Sequence, residues 1–147
     1  MNPPRVTIDA SVAVRWVLED EADRGGVLEL QRSLESGAVA GIEPAHFLLE
    51  VAGALDRAVR DRRINRPLAR RALSALEALG LDDAPQAEVA RDAFDIAGDT
   101  GLRVADAAYL VCAARNRAQL VSADRRQLEA AASHGIPAVA LDALPTR

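Results

Sequence analysis

Four acidic residues stand where carboxylates are hard to explain as ordinary surface. Asp9 directly follows the β-branched run Val6-Thr7-Ile8, and Asp124 follows Leu120-Val121-Ser122-Ala123, so both fall where a strand delivers its chain to a sheet edge. Open parallel sheets bind ligands there, beyond the carboxyl ends of the strands. Asp106 is the one charge in the eleven-residue stretch from Val104 to Ala114. Left ionised and uncompensated in such a setting, a carboxylate costs several kcal/mol, so it needs a cation, hydrogen-bond donors or a raised pKa. Glu50 lies beside the apolar stripe of a helix, next to the small Gly53 and Ala54. Four carboxylates meeting in one place would repel one another and disfavour folding, and a divalent cation resolves that conflict. Oxygen-only ligands suit Mg²⁺ or Mn²⁺. The chemistry implied is phosphodiester hydrolysis, in which such an ion lowers the pKa of a bound water, neutralises the phosphate and stabilises the leaving oxygen.

Each acid also has a plainer reading. Asp124-Arg125-Arg126-Gln127 matches a capping box with glutamine at the third helical position. Asp106 suits the first turn of a helix, where the macrodipole favours negative charge. Glu50 is open to solvation or to pairing with His46 four residues earlier. Asp9, with Ser11 two residues on, also fits a turn. The joint pattern carries more information than any member.

The elements that must position these residues alternate between strand and helix. Arg5 to Ile8 reads as a strand and Ser11 to Leu18 as a helix with Val12, Trp16 and Val17 on one side. Leu28 to Leu34 reads as a helix stopped by Gly37, Ala38 to Ile42 as a second strand entering Pro44, and a helix follows from Ala45 with Phe47, Val51, Leu55, Ala58 and Val59 in one stripe. Further helices are expected from Pro67, over Glu88 to Ala97, over Val104 to Ala114 and over Arg125 to Ser133. The Val104 segment is apolar almost all round, as a centrally buried helix would be. Gln119 to Ser122 and Ala138 to Leu141 complete the strand candidates. Strands this apolar do not face water, which points to an α/β fold of one domain over residues 1–147, with a central parallel sheet of about five strands flanked by helices on both faces.

Composition narrows the function. The chain has 147 residues, half of them apolar and 27% charged, enough for one core that needs no disulfide or structural metal. Cys112 is the only cysteine, and with two histidines it cannot fill a closed zinc shell; a reducing, cytoplasmic setting is expected. No stretch approaches the ~20 apolar residues of a membrane span, and the start carries no apolar leader, so neither secretion nor membrane association is expected. All eighteen basic residues are arginine, which excludes chemistry that needs a lysine base, Schiff base or P-loop lysine. A net charge of −4 argues against bulk coating of nucleic acid but leaves room for a local basic face. Between Arg57 and Arg71 seven arginines face one acid, Asp61. There Arg57, Arg60, Arg62 and Arg63 are candidate RNA contacts, since guanidinium forks suit phosphates, although the chain's general arginine bias also permits an ordinary solvated hairpin. Tyr109 is expected in the core rather than stacked on a base, and Cys112 as an inert buried thiol.

The chain resembles the PIN domain family, and within it the VapC-type toxins of bacterial toxin–antitoxin systems. The resemblance rests on four motifs in order: Val6-Thr7-Ile8-Asp9-Ala10-Ser11, Pro44-Ala45-His46-Phe47-Leu48-Leu49-Glu50, Val104-Ala105-Asp106-Ala107-Ala108-Tyr109-Leu110 and Leu120-Val121-Ser122-Ala123-Asp124. Each is unspecific alone. Ser122 stands where the family often has threonine, which keeps the hydroxyl. The resemblance implies a metal-dependent endoribonuclease in which Asp9, Glu50, Asp106 and Asp124 bind Mg²⁺ or Mn²⁺ and activate water, with Ser11 and Ser122 as supporting groups. It also implies a cognate antitoxin and a homodimer. The alternative is a catalytically silent PIN-like module that only binds a protein. Phosphotransfer receivers and haloacid-dehalogenase-type phosphatases, which also use an Asp after the first strand, fit poorly: both normally use a lysine, and the phosphatase wants an acid where Ser11 stands.

Overall fold

A computed structural model of the chain describes residues 1–18 and 25–144. Among these residues five parallel strands form one sheet in the order β3-β2-β1-β4-β5. They are β1 (Arg5–Ile8), β2 (Ala40–Pro44), β3 (Asp82–Ala84), β4 (Ala118–Ser122) and β5 (Ala138–Ala140). The helices are α1 (Ala10–Arg15), α2 (Gly25–Glu35), α3 (Phe47–Arg60), α4 (Arg66–Ala78), α5 (Gln86–Thr100), α6 (Val104–Arg115) and α7 (Arg125–Ser133), and a short 3₁₀ turn follows β5 at Leu141–Ala143. Right-handed crossovers put α1 to α4 on one face and α5 to α7 on the other. The packing agrees: α1 meets α3 and α3 meets α4, while α6 meets α5 and α7.

The central strands are apolar because both faces are covered. Val6, Thr7 and Ile8 of β1 and Leu120, Val121 and Ser122 of β4 are all buried. Helix α6 lies across β1, β2 and β4 and is buried from Ala107 to Ala113, as its all-round apolar sequence requires. Gly101 ends α5 in the left-handed region (φ 73°), which lets the chain reverse directly into α6 and sets Arg103 and Asp106 at its start. Among the described residues no helix is long and apolar enough to cross a membrane.

The expected elements differ from the observed ones mainly at their ends. Helix α1 stops at Arg15 rather than Leu18, and β2 runs two residues later than the apolar run suggests, taking in Glu43 and Pro44. Strand β3, Asp82-Asp83-Ala84, has no apolar run of its own; it exists as an edge strand because β2 offers it a ladder from Ile42 to Pro44. The β1–β2 ladder is short, pairing Arg5 with Ala40 and Val6 with Gly41. Beyond it side chains take over: Thr7 Oγ1 donates to the Ile42 carbonyl (2.8 Å), and Ile8 N–H donates to Glu43 Oε1 (2.8 Å).

Candidate metal centre

Strand order reverses at β1, since β2 and β3 lie to one side of it and β4 and β5 to the other. The carboxyl ends of β1 and β4 therefore form the crevice where open α/β sheets bind ligands. Asp9 emerges from β1 there and N-caps α1, its Oδ2 accepting from Ser11 N–H (3.1 Å) and from Ser11 Oγ. It is buried (7% exposed), and its other oxygen, Oδ1, accepts from Gln127 Nε2 (3.2 Å). These donors are all neutral, so the hydrogen bonds orient the charge of Asp9 without cancelling it.

Glu50 and Asp106 reach the same crevice from opposite faces of the sheet. Glu50 sits in the first turn of α3, where Tyr109 Oη donates to its Oε2 (2.8 Å) and His46 Nε2 lies 3.9 Å away. His46 in turn contacts the Ala105 carbonyl (3.0 Å) and packs edge-on against Tyr109, which ties the start of α3 to α6. Tyr109 is thus in the core, as expected, but its hydroxyl carries a second job. Burial, then the hydrogen bond to Glu50, push its pKa far above that of an ordinary phenol, so it stays a donor. One ligand atom each of Asp9, Glu50 and Asp106 lie within 4.8 Å of one another. Atoms this close can share one cation, and their all-oxygen donors suit a hard one.

Asp124 lines the same cavity but stands outside that triangle. Its Oδ1 caps α7 by accepting from Arg126 N–H (2.8 Å), which bears out the capping role. The reciprocal half of the capping box does not form. Asp124 N–H donates to Ser122 Oγ (2.9 Å), and Gln127 turns inward to the sheet. Buried carboxylate and carbonyl acceptors there demand donors more strongly than one half-exposed N–H at a helix end. Ser11 and Ser122 both take up supporting positions, one on Asp9 and one beneath Asp124.

The cavity encloses about 670 Å³. Besides the four acids it is lined by Asp61 and by Arg15, Arg57, Arg63 and Arg103. Of the arginines singled out in sequence, Arg57 and Arg63 reach it, whereas Arg60 pairs with Asp56 (2.8 Å) on the exposed side of α3. Arg62 is not part of the lining; it adopts φ 59° as the left-handed residue after α3, where Arg63 N–H closes on the Ala58 carbonyl (2.9 Å) and turns Arg63 back toward the cavity. Arg15 and Arg103 join the site without having been singled out in sequence.

Arg103 is the most consequential of these. Its guanidinium forks onto Asp106, Nε to Oδ2 (2.9 Å) and Nη2 to Oδ1 (3.0 Å), and that pairing lifts its already high pKa further. Asp106 is therefore compensated by a cation on its own helix turn. The Arg103 side chain is 76% exposed, so the pair contributes no more than about 0.2–1 kcal/mol. Replacing Arg103 with Met should leave the fold intact and tighten Mn²⁺ binding by roughly two- to fivefold. Calorimetric titration checks this, and weaker binding by the variant would show that the arginine assists the ion rather than competing with it.

The family model for the PIN domain matches residues 6–142 of the chain. The chain belongs to the PIN domain family. PIN domains are generally nucleases and usually bind divalent metals, and the acidic cluster of this PIN domain fits that pattern. Among solved structures it is similar to one described as "Crystal structure of PAE2754 from Pyrobaculum aerophilum", with a TM-score of 0.68 and 20% identity over 98% of this chain and 95% of that one. That likeness concerns the fold. No curated protein matches the chain.

Proposed function

We propose that this PIN domain is a Mg²⁺- or Mn²⁺-dependent endoribonuclease that serves as the toxin of a toxin–antitoxin pair. The observation that carries the reading is the convergence of Asp9, Glu50 and Asp106 from three separate elements at ligand spacing in one cavity. These three would hold the ion, with Asp124 at the rim. When bound, the ion supplies an acidified water and a counter-charge for the phosphate.

The chain's own residues set the conditions for that chemistry. Ser11 and Gln127 orient Asp9, and Tyr109 fixes Glu50. The cavity carries both signs of charge, acids and arginines together, as a site for a metal-bound polyanion needs. Reversing Arg57 and Arg63 to Glu should weaken RNA binding and flatten the plot of log K against log salt by about 0.7 for each single-strand phosphate that the variant no longer neutralises. Filter binding across a salt series checks this. An unchanged slope removes these two residues from the RNA surface.

The toxin role extends the family resemblance, and with it come a cognate antitoxin and a homodimer. The second reading, a silent module that binds protein alone, draws on the Arg103–Asp106 pair, which leaves the cluster partly neutralised without any metal. Incubating total RNA with the protein separates the two. Cleavage with Mn²⁺ that stops in chelator supports the nuclease, and intact RNA at millimolar Mn²⁺ supports the silent module.

A further inference from the structure

Gln127 is fully buried, and both ends of its amide are engaged. Its Nε2 donates to Asp9 Oδ1 (3.2 Å) and to the Asp106 main-chain carbonyl (3.0 Å). Its Oε1 accepts from Ser122 Oγ (2.6 Å), which in turn accepts from Asp124 N–H (2.9 Å). The amide has two N–H donors and one carbonyl, and this network uses both kinds of group in the one orientation that works, because the Asp106 carbonyl can only accept. A single side chain therefore touches the end of β1, the first turn of α6 and, through one hydroxyl, the end of β4.

We propose that Gln127 is a positioning residue of the metal centre, a neutral clamp that holds Asp9 and the turn of α6 carrying Asp106 at the spacing a divalent cation requires, and that ties the end of β4 to them through Ser122. This rests on reading the acidic cluster as a metal centre. Neutrality is the point of the device. Arg103 also steadies Asp106, but with a charge that opposes a cation, whereas the Gln127 amide fixes Asp9 and leaves the negative charge of the site undiminished. A carboxylate oxygen has two lone-pair directions, so Oδ1 of Asp9 can accept from Gln127 and still face an ion. Partners that orient ligands in this way are commonly worth 10- to 100-fold in metal affinity.

The test is calorimetric titration of Mn²⁺ into chelator-stripped protein, with the melting temperature in chelator measured alongside. Gln127→Met keeps the length of the side chain and removes every hydrogen bond. It should bind Mn²⁺ about 10- to 100-fold more weakly than wild type while the folded fraction at the titration temperature remains complete. A purely structural residue would lower the melting temperature and leave the affinity of the folded protein unchanged; that result overturns the proposal. Ser122→Ala keeps the Gln127 donors but frees the amide to rotate. It should lose affinity in the same direction by a smaller factor, and it carries the test if Gln127→Met does not fold: a loss of threefold or more supports the clamp and equal affinity overturns it. Failure of wild type itself to bind Mn²⁺ refutes the metal reading and the clamp together, whereas wild-type binding with equal affinity in the folded variants refutes the clamp alone.

Discussion

Asp9→Asn should fold and yet cleave RNA at least roughly a thousandfold more slowly in Mn²⁺ than wild type. The loss follows from charge. Lewis-acid stabilisation by a bound ion is worth several kcal/mol, and each 1.36 kcal/mol is tenfold in rate, so a cluster that has lost its most buried carboxylate forfeits about three decades. The fold should persist because asparagine caps helices as well as aspartate does, and α1 keeps its N-cap acceptor. One hydrogen bond cannot be kept. The two oxygens of Asp9 accept from Ser11 and Gln127, and an amide has only one oxygen, so a donor must face a donor at one end. That costs about 1–3 kcal/mol, offset in part by relief of repulsion within the cluster. Gel assay of total RNA and a thermal melt read the two effects separately. Activity within tenfold of wild type would remove Asp9 from the metal site.

Much of the site was legible in sequence because the physics that buries a parallel strand is simple. Val6-Thr7-Ile8 and Leu120-Val121-Ser122 are apolar or hydroxyl-bearing without alternation, and an acid at or just beyond the end of each such run has to lie at the carboxyl edge of the sheet. Asp106 is conspicuous because nothing else in its helix is charged until Arg115. What escaped was decided by tertiary demand. Strand β3 is polar and mostly exposed, and only the neighbouring β2 makes it a strand. Gln127 matches a capping signature that nothing local contradicts; the buried acceptors on Asp9 and Asp106 that draw it inward lie far away in the chain. Arg103 was within reach of sequence reasoning, being the residue just before α6 and three before Asp106, close enough for opposite charges to meet. Arg62 and Arg63 are adjacent in sequence, yet only Arg63 lines the cavity, because the left-handed turn of the chain at Arg62 is invisible to composition.

Glu43 was invisible for a related reason, and it governs the second large effect. A glutamate between Ile42 and Pro44 looks like the exit from a strand, but it is 1% exposed and belongs to β2, which lies between β1 and β3. Ile8 N–H donates to its Oε1 (2.8 Å), while its Oε2 is buried with no partner among the described residues. Burial pushes the carboxyl pKa well above the ordinary range, the Ile8 bond pulls the other way, and the charge of Asp9 raises it again. Between the ordinary carboxyl range and the raised native value, the native state therefore holds a proton that the unfolded chain has released. Stability from this group is complete below the ordinary carboxyl range and declines as pH rises toward the elevated native value, with a slope of up to about 1.4 kcal/mol per pH unit for one proton. Glu43→Gln keeps an oxygen for Ile8 N–H and has no proton to lose. Its unmatched amide donors replace an unmatched hydroxyl, so the variant and wild type should be close in stability near pH 4, and the variant should pull ahead steadily as pH rises. Urea unfolding of both proteins from about pH 4 to about pH 8 reads this directly. Parallel curves would mean that Glu43 ionises in the folded protein as readily as in the unfolded chain, and that the buried oxygen is reached by a partner such as water.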